Sequence, residues 1–195
     1  MRIALLAVVL VTLSSTAHAG KGAILIPPLE VDVGVGVPVG SSSMSREILA
    51  GVHWASLAWK PTSFDVGIGY VGSFRRAEDQ PPSETLARLR MHGGYFSLSR
   101  RLVGDKHWRT WLTARGELLR ATDGERDFSA IGGALRVSTE LFGSGAVSDK
   151  NAIAIGTIAV GIYFEATVRD VPIEYGRVGI TSGVLCRLPF FAAGG

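Results

Sequence analysis

One cysteine, Cys186, stands among the 195 residues. An internal disulfide is therefore excluded. With no cysteine directly following the N-terminal apolar segment, lipoprotein acylation is excluded too. No uncharged apolar run reaches the roughly 18 residues of a membrane-crossing helix. Arginines raise the net charge to +3, but they are scattered. No basic run is interleaved with aromatics, so nucleic acid is not an expected partner. His53, His92 and His107 fall on different segments without ligand spacing, which leaves no metal site. No helix follows Gly34-Val35-Gly36 or Gly67-Ile68-Gly69, so neither makes a nucleotide loop, and no cofactor is expected.

Against these absences, 47% of the residues are hydrophobic and 25 are glycine, and the mean hydropathy is +0.28. The apolar residues come in alternation, not in blocks. Leu29 to Val39 reads L-E-V-D-V-G-V-G-V-P-V, with every odd position aliphatic and every even one charged, glycine or proline. Successive side chains of a strand point to opposite faces, so one face here is continuous hydrocarbon and the other is small or ionised. Residues 1–19 read as a secretory signal: Arg2, an apolar stretch from Ile3 to Leu13, and the Ala17-His18-Ala19 cleavage site. Residues 20–191 then form one domain, with 192–195 as a short tail.

The pattern repeats about eight times. The predicted strands are Leu29–Val39, Ile48–Trp59, Phe64–Phe74, Leu86–Leu98, Trp108–Leu118, Ser129–Leu141, Ile153–Val168 and Tyr175–Phe190. Leu89 and Met91 are out of step with Phe96 and Leu98, which predicts a β-bulge at Gly93-Gly94. An even strand number closes an antiparallel up-and-down barrel with both termini on one side. The expected fold class is all-β, a single transmembrane β-barrel. An eight-stranded barrel is just wide enough for side chains to fill. The charged residues of the small face make that filling: Glu30, Asp32, Asp65, Arg88, Arg90, Arg109, Arg115, Glu117, Arg136, Glu140, Glu165, Arg177 and Arg187. Glycines such as Gly34, Gly67 and Gly183 give them room, and serine is expected to be tolerated there. Trp54, Trp59, Tyr70, Phe74, Trp108, Phe190 and Phe191 lie toward strand ends, as interfacial aromatic girdles would.

The signal, the amphipathic strands and the aromatic end Pro189-Phe190-Phe191 resemble the small bacterial outer-membrane barrels of the OmpX, OmpW and OmpA transmembrane-domain type. The resemblance is one of architecture over nearly all of the mature chain. It implies export to the outer membrane of a Gram-negative envelope. Outer-membrane lipid, lipopolysaccharide and the barrel-assembly machinery are the implied partners, and a monomer is the implied state. The implied role is structural, adhesive or loop-mediated, with a filled lumen and no catalysis. Two alternatives stand beside it. A soluble periplasmic lipocalin-like barrel would bind an apolar ligand, although the lipocalin Gly-x-Trp signature is missing before the first strand. A lipid A-modifying hydrolase would draw on His53 with Ser56, or His92 with Tyr95, but residues three apart on a strand project to opposite faces.

Overall fold

The computed structural model describes residues 24–26, 29–42, 44–54, 64–77, 88–104, 108–142, 148–149, 152–155, 158–188 and 190–193. Its strands are β1 (Ile24–Ile26), β2 (Leu29–Val39), β3 (Arg46–Trp54), β4 (Phe64–Arg76), β5 (Arg88–Gly104), β6 (Trp108–Thr122), β7 (Asp127–Phe142), β8 (Ser148–Asp149), β9 (Ala152–Ile155), β10 (Ala159–Arg169), β11 (Val178–Leu188) and β12 (Phe190–Ala193). A 3-10 turn, Ile173–Tyr175, precedes β11. Eight strands, β2 to β7 with β10 and β11, close into an antiparallel barrel, and the other four pair in the order β1-β12-β9-β8. The signal segment and the cleavage site lie outside the described residues.

The register fixes the tilt. From Val39 the pairing runs through Val178, Val168, Gly133, Gly116, Phe96, Ile68 and Trp54, and returns to β2 at Leu29. The circuit therefore slips from position 39 to position 29, ten residues in eight strands. Such a stagger obliges the strands to tilt, typically by about 35–45°. The end at which β2 passes to β3, β4 to β5, β6 to β7 and β10 to β11 is called the loop end below. The opposite, turn end carries the four-stranded sheet.

Alternation holds along the barrel strands, apart from the end of β5. On β2, Val31, Val33, Val35, Val37 and Val39 point outward, between 40% and 63% exposed, while Glu30 and Asp32 are buried inside. No bulge occurs at Gly93-Gly94. β5 pairs regularly through both glycines, and its one register shift lies between Arg101 and Val103. What changes along β5 is polarity, not parity. Toward the loop end the interior is apolar: Leu49, Val71, Leu89, Met91, Leu119 and Ala121 pack together there. The same positions put Arg88, Arg90 and His92 outside. Two other strands depart from the alternation reading. Ile153–Val168 divides into β9 and β10, and the last barrel strand begins at Val178, since Tyr175 belongs to the 3-10 turn. Phe190 and Phe191 lie in β12, outside the barrel ladder.

The 170–177 segment folds over the apolar plug. Arg75, fully buried, donates from Nη1 to the Tyr175 carbonyl at 3.0 Å and to that of Gly176. Ser41 Oγ donates to the Glu174 carbonyl at 2.6 Å. Gly176 turns the chain back into β11 at φ +78°, where any Cβ would be strained and would meet Pro38.

Inward glycines are tighter than the serine tolerance expected from sequence. A Cβ on Gly34 would run into Tyr163 Oη and lie 2.8 Å from Thr181 Cγ2, whereas one on Gly116, facing outward, meets nothing within 4 Å. Large inward side chains have taken up the space that those glycines release. We therefore expect Gly34→Ser to lose the folded, heat-modifiable band on gels and Gly116→Ser to keep it. Equal folded yields from the two would contradict the packing described here.

Candidate functional site

The lumen is crossed by one connected set of ion pairs. At the loop end, Arg75 Nη2 lies 3.1 Å from Glu47 Oε2. Glu47 Oε1 accepts from Arg169 Nη1 at 2.6 Å, and Arg169 Nε donates to Glu117 at 2.9 Å. Arg115 Nη2 then bridges Glu117 at 3.0 Å and Glu165 at 2.6 Å. Glu165 accepts from Arg136 Nε at 2.7 Å, and Arg136 grips Asp32 with both Nη atoms, at 3.2 and 3.1 Å. At the turn end, Arg187 Nη2 closes the series against Glu30 at 2.7 Å and Glu140 at 2.8 Å. Five guanidinium groups and six carboxylates take part, supplied by every barrel strand except β5. That strand enters through Tyr95, with the Arg115 guanidinium 4.7 Å from its ring centre. Arg136 lies 4.0 Å from the ring centre of Tyr163.

The geometry is what makes such burial tolerable. Taking ions out of water costs several kcal/mol each, and attraction repays it only with good geometry and further hydrogen bonds. Arg136 has both: a fork onto Asp32 and a third bond to Glu165. A barrel supplies these partners because inward positions from different strands converge on one axis.

Eight of the residues inferred from sequence meet in this set: Glu30, Asp32, Arg115, Glu117, Arg136, Glu140, Glu165 and Arg187. Asp65 and Arg109 are half-buried on the same inward face, and Arg109 sits opposite Glu140 in register. Arg88 and Arg90 do not belong to it. They are exposed on the outer wall, because the interior beside them is apolar. Arg177 precedes β11 in the loop, exposed, with Nη2 3.9 Å from Asp170. Three members are new to the set: Arg169, which shares the parity of Glu165 but reads as the start of a loop, Glu47 and Arg75. Glu47 has the parity of Leu49, Gly51 and His53, but Arg46-Glu47 reads as part of a polar loop. Arg75 was hidden by its exposed neighbour Arg76 in the same way.

Among the ion pairs nearest the turn end is a small polar cavity lined by Glu30, His53, Ser97, Ser99, Arg136 and Arg187, among others. His53 points inward and stacks on Tyr95 with ring centres 5.7 Å apart. Ser56 and His107 lie outside the described residues. His92 is outward, with Nδ1 2.6 Å from Tyr70 Oη, so His92 and Tyr95 occupy opposite faces of β5. Of the aromatics singled out, Trp54 and Trp108 face outward near the turn end, and Tyr70 and Phe74 face outward toward the loop end. Trp59 and the side chains of Phe190 and Phe191 lie outside the description.

At the loop end, Asp123 gathers a second, smaller cluster. Its Oδ1 accepts from the Glu125 and Arg126 amides at 2.9 and 2.7 Å, and its Oδ2 accepts from Tyr175 Oη at 2.9 Å. Partial burial opposes the charge, but those donors and the Arg126 guanidinium outweigh it and hold the carboxyl at about 2.

No family model and no curated protein matches this sequence. Among solved structures, the crystal structure of Neisserial surface protein A (NspA) aligns with 90% of this chain and 100% of that one, at 13% identity and a TM-score of 0.48.

Two outcomes follow from these clusters. Truncating one member of a buried pair leaves its partner charged and unsatisfied, at about 3–5 kcal/mol, whereas an exposed pair is worth about 0–1 kcal/mol. Urea unfolding should therefore show Arg136→Gln strongly destabilised and Arg120→Gln, whose 3.8 Å contact with Asp127 is exposed, close to wild type. The second concerns pH. A carboxyl whose folded-state pKa is depressed contributes stability above its unfolded value and loses it as pH falls through the folded one. Amide-exchange protection at Tyr175 and Gly176 should hold at pH 5 and fall away between the ordinary value of 3.8 and about 2. Asp123→Asn should lack that step.

Proposed function

We propose that this protein is a bacterial outer-membrane barrel with a closed lumen, serving a structural, adhesive or loop-mediated binding role without catalysis. One observation carries the reading: the ionised side chains are buried inside while the aliphatic ones are exposed outside. On β10, Val160, Ile162, Phe164 and Val168 are each more than half exposed, with Ile158 just before them, while Glu165 and Arg169 are fully buried. The run from 158 to 168, at about 3.3 Å per residue and a tilt of about 40°, stands roughly 25 Å tall, the height of the apolar band of such barrels. In water that wall would expose far more contiguous hydrocarbon than a soluble monomer carries. In lipid it is the low-energy surface.

The contents of the barrel support the closed lumen. The ion pairs and the apolar plug fill successive levels along the axis, and the described cavity is polar, which disfavours the alternative of a soluble carrier for an apolar ligand. Loop-mediated binding would use the end sealed by the 170–177 segment, where Ile173 is 70% exposed.

Cell fractionation tests the location, with the protein expected in the outer membrane and heat-modifiable on gels. An arginine facing lipid near mid-membrane costs about 2–4 kcal/mol, so Val33→Arg and Ile162→Arg should abolish the folded band. Purified protein in planar bilayers should give no porin-sized conductance steps. Recovery in the detergent-free soluble fraction, with those arginine variants folded normally, would overturn the reading.

A further inference from the structure

Ser97 on β5 and Arg115 on β6 stand directly opposite each other, and both are buried in the lumen. Side chains so paired across a ladder start about 5 Å apart. Arg115 engages one nitrogen in its ion pairs: Nη2 alone holds Glu117 at 3.0 Å and Glu165 at 2.6 Å. Its Nε and Nη1 are buried and make no hydrogen bond among the described residues. The same is true of Ser97 Oγ, on a residue 1% exposed, and of His53 Nδ1, on a residue 6% exposed. All three side chains line the small polar cavity near the turn end. Ser99 Oγ and Thr113 Oγ1, the next register pair toward that end, are already bonded to each other at 2.8 Å.

Guanidinium nitrogens only donate, so what answers them is an acceptor. A buried donor left unanswered costs more than its hydrogen bond contributes when made. Charge selects among acceptors. Arg115, Arg136 and Arg187 line the cavity, and among the described residues Glu30 is the one carboxylate in its wall. Glu117, Glu165 and Asp32, which pair with Arg115 and Arg136, lie outside that wall. The immediate surroundings are therefore positive, and hydrogen bonds from a guanidinium to an anion are the stronger kind. The ion-pair set as a whole holds one more carboxylate than guanidinium groups, and the cost of burying an ion rises steeply with its charge. Both facts restrict the occupant to a single negative charge. The side chain of Arg187, 19% exposed at the turn end, marks the way in, since the apolar plug closes the other end. Water also accepts hydrogen bonds and fills small polar cavities, so the test below separates it from an anion.

We propose that the lumen cavity beside Ser97 and Arg115 binds one small monovalent anion of the halide class. The site depends on the inward side chains alone, so it stands or falls apart from the membrane reading. Folded barrel in non-ionic detergent is titrated with sodium chloride at constant ionic strength, balanced with sodium gluconate, and the chlorine NMR linewidth is followed. Wild type should show a saturable excess broadening. Ser97→Ala should bind about fivefold more weakly, the effect of losing one hydrogen bond. Ser97→Asp sets a fixed carboxylate beside Arg115, and should keep the folded band while losing the saturable component. Arg120→Gln, exposed on the outer wall, should titrate as wild type does. Sulfate should not compete. Crystals grown in sodium bromide should give an anomalous peak within hydrogen-bond distance of Arg115 and Ser97. An absent saturable component, an unchanged Ser97→Ala, a component that survives in Ser97→Asp, or equal competition by sulfate would overturn the proposal. A Ser97→Asp barrel that fails to fold would overturn it too, because a negative group is what the site is held to accept. So would a bromide crystal without anomalous signal in the cavity, which would mean water in place of the anion.

Discussion

Eleven ionised side chains have to be satisfied inside a wall only eight strands round, and that constraint organises the molecule. Arg136 is its hub, bonded to Glu165 and Asp32 and 3.5 Å from Glu30. Long side chains reach one another across the axis only where the opposing positions are small. Gly34 and Gly183, partners in register, lie against Tyr163, and Gly69 lies against Tyr95. Those tyrosines in turn lie beneath the guanidinium groups of Arg136 and Arg115. The glycines that make the sequence look weakly structured are thus the counterpart of its buried arginines. An inward side chain at Gly34 would disturb the ion pairs through Tyr163.

Along the axis, that network divides the lumen. Toward the turn end the interior is polar and holds the cavity beside His53. Toward the loop end it gives way to the Leu49, Leu89 and Met91 plug, covered by the 170–177 segment through Arg75. Arg75 joins the two regions, since it pairs with Glu47 and also holds the carbonyls of the covering turn. Closure of the mouth and pairing of the charges are therefore coupled. The exterior inverts at the same level on β3 to β6: where the inside becomes apolar, the outside becomes basic.

Much of this was legible in the sequence. Period-two alternation gave β2, β4, β6 and β7 nearly to their ends, and it put Glu30, Asp32, Arg115 and Arg136 on one face. Alternation reports parity, however, and says nothing of which face is polar at a given height. That is why Leu89 and Met91 read as a slip of register, and why Arg88 and Arg90 read as lumen residues. Short polar clusters misled for a related reason. Arg46-Glu47 and Arg75-Arg76 look like loop sequence, yet each pair straddles the wall of a strand, one residue buried and one exposed. The division between β9 and β10 and the 3-10 turn at Ile173–Tyr175 carry no periodic signal strong enough to break an apolar run.

Spin-label scanning along β2 tests the central claim most directly. With Cys186→Ala to remove the native thiol, a label is placed in turn at Val31, Val33, Val35 and Val37 in protein reconstituted into lipid. These outward positions should be relaxed by oxygen, which partitions into hydrocarbon, and shielded from a water-soluble nickel chelate, with oxygen accessibility highest toward the middle of the strand. Accessibility to the nickel chelate at all four positions would mean that the aliphatic wall faces water, and would contradict the account.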